Sequence, residues 1–128
     1  LSTRASRGAL PELVPLKDAS YNISRASLMT SMLIAGDFDS LKYAAGDKLH
    51  QDYRKANIDN FDNILDKSYE FGAKATFLSG SGPAIVSVLA MDNDTFSSDM
   101  TVYLKGLEQK WKCKLVTIDN VGAIIKEY

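Results

Sequence analysis

The sequence predicts an α+β fold, with an antiparallel four-stranded sheet and helices packed mainly on one face. Three observations predict it. The first half of the chain carries apolar residues at helical spacing, and the second half carries four short β-prone runs. The elements then read as helices, β-β, a helix and β-β, with no internal repeat, an order that suits an antiparallel sheet covered by helices.

All 128 residues are read as one domain, 1–128, long enough to bury a sizeable core. Hydrophobic residues make up 45% and charged residues 24%, so a packed globular chain is expected rather than a disordered one. Fifteen basic and 16 acidic residues nearly cancel, which removes the electrostatic reason for nucleic-acid or membrane-surface binding. Cys113 is the only cysteine, so no disulfide or cysteine cluster can form within the chain, and a reducing, cytoplasmic setting is expected. His50 is the only histidine, which leaves no His/Cys zinc site. No apolar run approaches the roughly 18 residues that cross a bilayer.

Ser2-Thr3 caps a short helix that ends near Pro11, and within it Thr3 and Arg7 share one face, a compact grip for an anion or an exposed surface pair. From Ala19 to Ala35, the positions Ala19, Ile23, Ala26, Thr30 and Leu33 trace an amphipathic helix ended by Gly36. Asn22 and Arg25 on it either line a cleft or form a solvated edge. Asp37 opens a third helical stretch through Leu41 to Ala45. Residues Asp47 to Arg54 concentrate polar side chains between helices. Arg54 stands out there, because a planar guanidinium holds a carboxylate bidentately; the plainer reading is a helix end whose charges pair among themselves. His50 is either an acid-base group or a hydrogen-bonded structural residue. Ile58, Phe61, Leu65 and Tyr69 continue at helical spacing towards Gly72.

Lys74 to Leu78 and Ala84 to Met91 are the first two strands, and Ser79-Gly80-Ser81-Gly82-Pro83 lies between them. Two glycines among hydroxyls can bring backbone N–H groups close to a phosphate, carboxylate or hydroxyl, or can simply turn the chain. The loop is not a P-loop, since Pro83-Ala84-Ile85 stands where Gly-Lys-Ser/Thr is required, and it lacks the third glycine of a dinucleotide fingerprint. Asp92 to Thr95 caps a helix carrying Met100, Tyr103, Leu104, Leu107 and Trp111. Lys114 to Ile118 and Ala123 to Ile125, joined by Asp119 to Gly122, complete the four strands.

Taken together, Ser2-Thr3 with Arg7, Leu10-Pro11, Lys17-Asp18-Ala19 leading to Asn22-Ile23-Ser24-Arg25-Ala26, Gly36-Asp37-Phe38-Asp39, Leu49-His50-Gln51-x-Tyr53-Arg54 and Leu78 to Pro83 resemble the C-terminal half of bacterial homoserine kinases, members of the GHMP kinase superfamily. The resemblance implies a ferredoxin-like domain. It implies transfer of the ATP γ-phosphoryl group, with Mg2+, to the hydroxyl of L-homoserine in threonine biosynthesis. The phosphate-cradling loop and the acidic magnesium ligand are expected in an N-terminal domain absent from these residues, so this chain alone is expected to be inactive, with neither cofactor bound and no metal ligand of its own. By the same resemblance Arg7 and Arg54 hold the substrate carboxylate, Thr3 lies near the reacting hydroxyl, and Gly80 with Ser79, Ser81 and Gly82 forms a wall of the cleft. No general base is assigned. Asp52 departs from the family, which commonly has proline there. Another GHMP-type kinase, a non-catalytic amino-acid-binding regulatory module and a dimerisation domain remain open alternatives, as does a homodimer.

Overall fold

A computed structural model describes residues 8–125. Helix α1 spans Leu16–Ala35, a 3-10 turn spans Leu41–Tyr43, and α2 and α3 span Gln51–Lys55 and Phe61–Glu70. Strands β1 (Ala75–Leu78) and β2 (Ile85–Val88) follow, then helix α4 (Phe96–Lys105). The strands pair antiparallel, with Ala75 opposite Val88 and Leu78 opposite Ile85. The expected first helix up to Pro11 lies largely outside the described residues.

The expectation of four strands is overturned. Among the described residues the sheet has two strands, β1 and β2, although the fold is α+β. Residues 114–118 and 123–125 form no ladder, and their apolar side chains lie open: Ile118 is 87% exposed and Ile125 92%. A β-branched run becomes a strand only where an edge is available to pair with and a surface to pack on. Here the apolar composition is present, but among the described residues neither run pairs with the sheet or is covered by a packing surface.

The core sits where α3 and α4 meet the hairpin. Ile64 from α3 packs with Phe96, Met100 and Leu104 from α4 and with Ala73. Ile58, Phe61 and Leu78 form a second cluster, and Ile85 and Trp111 pack against both, joining them. Trp111 reaches this place from beyond the helix, since α4 stops at Lys105 rather than continuing through the tryptophan. Asn93 welds the layers: its amide donates to Phe71 O at 2.9 Å, after α3, and its Oδ1 accepts the N–H of Phe96 at 3.0 Å, the start of α4. Ser68, fully buried on α3, donates its hydroxyl to Ile64 O.

Helix α1 ends as its glycine predicts. Gly36 adopts φ +71, and the Asp37 N–H then reaches back to Met32 O at 2.9 Å. The stripe expected to face a core does not do so: no residue of α1 is buried, and Ile23 is 69% exposed. The third helical stretch contracts to the 3-10 turn, whose Leu41 is completely buried, with the Asp37 carboxylate accepting the N–H of Ser40. Stability should follow this division. Met100→Ala is expected to cost about 2–4 kcal/mol in urea titrations, and Ile34→Ala on the exposed face of α1 less than about 0.5 kcal/mol.

Candidate functional site

The loop from Ser79 to Ala84 is the turn of the β1–β2 hairpin. The N–H of Ser79 donates to Ala84 O at 2.8 Å and that of Gly82 to Ser79 O at 3.1 Å. Both glycines use the left-handed region, Gly80 at φ +57 and Gly82 at φ +75, and the Gly82–Pro83 peptide is cis. They differ in their surroundings. A Cβ on Gly82 would lie 2.9 Å from the terminal methyls of Ile58 and Leu78, so Gly82 seats the loop on the core, whereas nothing lies within 4 Å of the same position on Gly80.

Helix α2 is laid across this turn. Arg54 Nη1 donates to Gly80 O at 2.7 Å, while Arg54 Nε is buried and has no hydrogen-bond partner among the described residues. One turn earlier, Gln51 Oε1 accepts the N–H of Leu78 at 2.7 Å. His50 stands alongside, its Nδ1 3.5 Å from Arg54 Nη1 and its Nε2 3.6 Å from Asp47 Oδ1. A ring with its hydrogen on Nε2 would accept from Arg54 and donate towards Asp47. Asp52, on the first turn of α2, pairs with Lys55 at 3.2 Å and faces solvent.

The helix itself is held by Asp47. Its Oδ2 accepts the N–H groups of Leu49, His50 and Gln51 at 3.2, 2.7 and 2.6 Å, and its Oδ1 accepts from Asn22 Nδ2 at 2.5 Å. Asn22 Oδ1 in turn accepts the N–H of Lys48 at 2.8 Å. Burial pushes the Asp47 carboxyl up, but the N–H groups of Gln51 and His50 and the Asn22 amide outweigh it, and the net pKa lies below the ordinary value. Arg25 donates to Tyr43 O at 2.6 Å, and Arg25 and Lys48 flank the Tyr21 ring at 5.0 and 4.7 Å from its centroid. Asn22 and Arg25 thus act as ties between α1 and the segment leading to α2.

Of the residues singled out in the sequence, Arg54 and Gly80 are in direct contact, with Ser79, Ser81 and Gly82 in the same turn. Thr3 and Arg7 lie outside the described residues. Asp47 and Gln51 went unnoticed as individual positions. A legible signal was the aspartate itself, whose short carboxylate readily accepts backbone N–H groups a few residues on.

Residues 28–99, more than half of the chain, match the family described as GHMP kinases C terminal. The chain belongs to the GHMP kinase C-terminal family. Relatives within it include the homoserine kinase of Caldicellulosiruptor saccharolyticus, 42% identical over 98% of this chain and 41% of its own length. The homoserine kinase of Clostridium beijerinckii is 42% identical over 99% of this chain and 43% of its length. This GHMP kinase C-terminal chain therefore spans about two fifths of the curated relatives it matches. The crystal structure of homoserine kinase from Cytophaga hutchinsonii matches with a TM-score of 0.75 over 84% of this chain and 35% of that one; at 20% identity this is a likeness of fold.

Two expectations follow from the geometry. Gly82→Ala, strained and crowded at once, should lower stability by about 2 kcal/mol or more and Gly80→Ala by about 1 kcal/mol, measured by thermal and urea unfolding. A carboxyl with a lowered folded-state pKa contributes stability in full above its unfolded value and loses it as pH falls through the folded one. Asp47→Ala should therefore cost about 1–2 kcal/mol near pH 7, and the difference from the parent should shrink as pH falls below the ordinary carboxylate range.

Proposed function

We propose that this chain is the substrate-side, C-terminal part of a homoserine kinase, transferring the γ-phosphoryl group of ATP to the side-chain hydroxyl of L-homoserine and releasing ADP, in threonine biosynthesis. The observation that carries this reading is Arg54, fixed through Nη1 to Gly80 O with its Nε buried and without a partner among the described residues, beside the glycine loop. A buried guanidinium N–H without an acceptor is costly, and a carboxylate is the partner its fork fits. An amino acid provides that carboxylate. Family membership and the homoserine kinase relatives support the substrate class.

On this reading Arg54 binds the α-carboxylate, and Arg7 joins it. Thr3 lies near the reacting hydroxyl. The open side of Gly80 lets substrate approach the backbone closely, and the tether from Gly80 O to Arg54 keeps the carboxylate site and the loop at a fixed separation. These residues bind and orient; phosphoryl transfer draws most of its rate from such positioning and from electrostatic stabilisation. The homoserine oxygen forms the new P–O bond and gives up its proton to solvent as the bond to the ADP oxygen breaks. No general base is assigned on this chain.

We assign the ATP phosphates to the part of the relatives' length that this chain does not span. Among the described residues no three His, Cys, Asp or Glu side chains gather as a metal site, and no step here is routed through Mg2+. None of the described helices is long and apolar enough to cross a membrane, and we place the protein in the cytoplasm on its cysteine usage.

Steady-state kinetics on a chain of the relatives' full length test the assignment. Arg54→Ala should raise KM for homoserine about 10- to 100-fold, the worth of a hydrogen bond to a charged group, and leave KM for ATP within about twofold. Equal loss for both substrates would overturn it, as would ATP-dependent phosphorylation of homoserine by residues 1–128 alone.

A further inference from the structure

Helix α2 has five residues, too few to hold a direction by its own hydrogen bonds. With its start fixed by Asp47, its orientation over the hairpin is completed by what its side chains grip. Gln51 and Arg54 are three apart and therefore share a face of the helix. They grip positions 78 and 80, two apart along the chain where β1 passes into the loop. Between these positions Ser79 is bonded across the hairpin to Ala84.

The two grips differ in kind. Arg54 has a long, flexible stem, so its contact with Gly80 O alone would allow the helix to rock. The amide of Gln51 takes the N–H of Leu78, which faces away from β2 in the antiparallel ladder and would otherwise be a donor left without a partner at a buried residue. Two anchors fix both the distance and the angle between helix and loop, and Arg54 Nε inherits its direction from them.

We propose that Gln51 is a positioning residue: its side-chain oxygen locks α2 in register against Leu78, so that the Nε edge of Arg54 meets a carboxylate at the glycine loop. Naming that carboxylate as homoserine's rests on the function proposed above; the lock itself does not.

The test compares Gln51→Met, of similar length without the acceptor, with Gln51→Glu, which restores an acceptor oxygen. Amide hydrogen exchange followed by NMR on this chain should show Leu78 exchanging at least about tenfold faster in Gln51→Met, with Met100 and Leu104 unchanged. The Arg54 Nε–Hε resonance should shift in the same variant, and Gln51→Glu should return Leu78 to within about threefold of the parent near neutral pH. Unchanged exchange at Leu78, an equal acceleration at Met100 and Leu104, or no recovery in Gln51→Glu would overturn the proposal. In a chain of full length, Gln51→Met should raise KM for homoserine about tenfold with kcat within about twofold; an unmoved KM in an active parent would also overturn it. Failure of the full-length parent to phosphorylate homoserine would remove the substrate assignment, with the Leu78 and Arg54 signals still deciding the lock.

Discussion

One carboxylate holds the candidate site in shape. A helix of five residues has almost no internal hydrogen bonding to spend on its own stability, yet α2 carries Gln51, which reaches the end of β1, and Arg54, which reaches the glycine turn. Asp47 makes this workable by taking the N–H groups of three successive residues, Leu49 to Gln51, on one oxygen and the Asn22 amide on the other. Those donors keep the carboxyl ionised against the tendency of burial to neutralise it. The helix therefore begins at a defined place, and everything downstream, from Gln51 on Leu78 to Arg54 on Gly80, inherits that place.

Two kinds of attachment coexist in the fold. The hairpin, α3 and α4 are joined by apolar burial, through Ile64, Phe96, Met100 and Leu104 and through Ile58, Phe61 and Leu78, with Ile85 and Trp111 shared. Helix α1 is joined chiefly by polar ties, Asn22 to Asp47 and Lys48 and Arg25 to Tyr43. Apolar burial contributes in proportion to area and holds without fine geometry, whereas exposed polar ties contribute little each and depend on angle. The glycine turn belongs to the first group through Gly82, which rests on Ile58 and Leu78, and it presents Gly80 to the second. A firm base and an open crest suit a site that must bind and release.

The fold was legible where local chemistry decides it. Gly36 ends α1, Asp92 to Thr95 announces α4, and the paired runs around Gly80 become a hairpin, because caps and turns act over a few residues. It was illegible where a partner decides it. Lys114 to Ile118 has strand composition, but a strand needs an edge, and no edge is recorded in composition. The stripe on α1 from Ala19 to Leu33 likewise has the spacing of a buried face, yet none of its residues is buried. At the site, Arg54 and the loop could be read because guanidinium and glycine have distinctive chemistry. Gln51 could not, because one amide oxygen aimed at one backbone N–H 27 positions away leaves no mark on sequence spacing.

The outer edge of β1 has a further consequence. The alternate donors of that strand, at Thr76 and Leu78, are taken by the Tyr69 hydroxyl and the Gln51 amide, so an incoming strand would find them occupied. The sheet is closed to extension on that side by side chains rather than by another strand, a protection against edge-to-edge aggregation that costs no additional backbone. Growth of this sheet, whether by a neighbouring segment or in misassembly, is directional: it must start from β2.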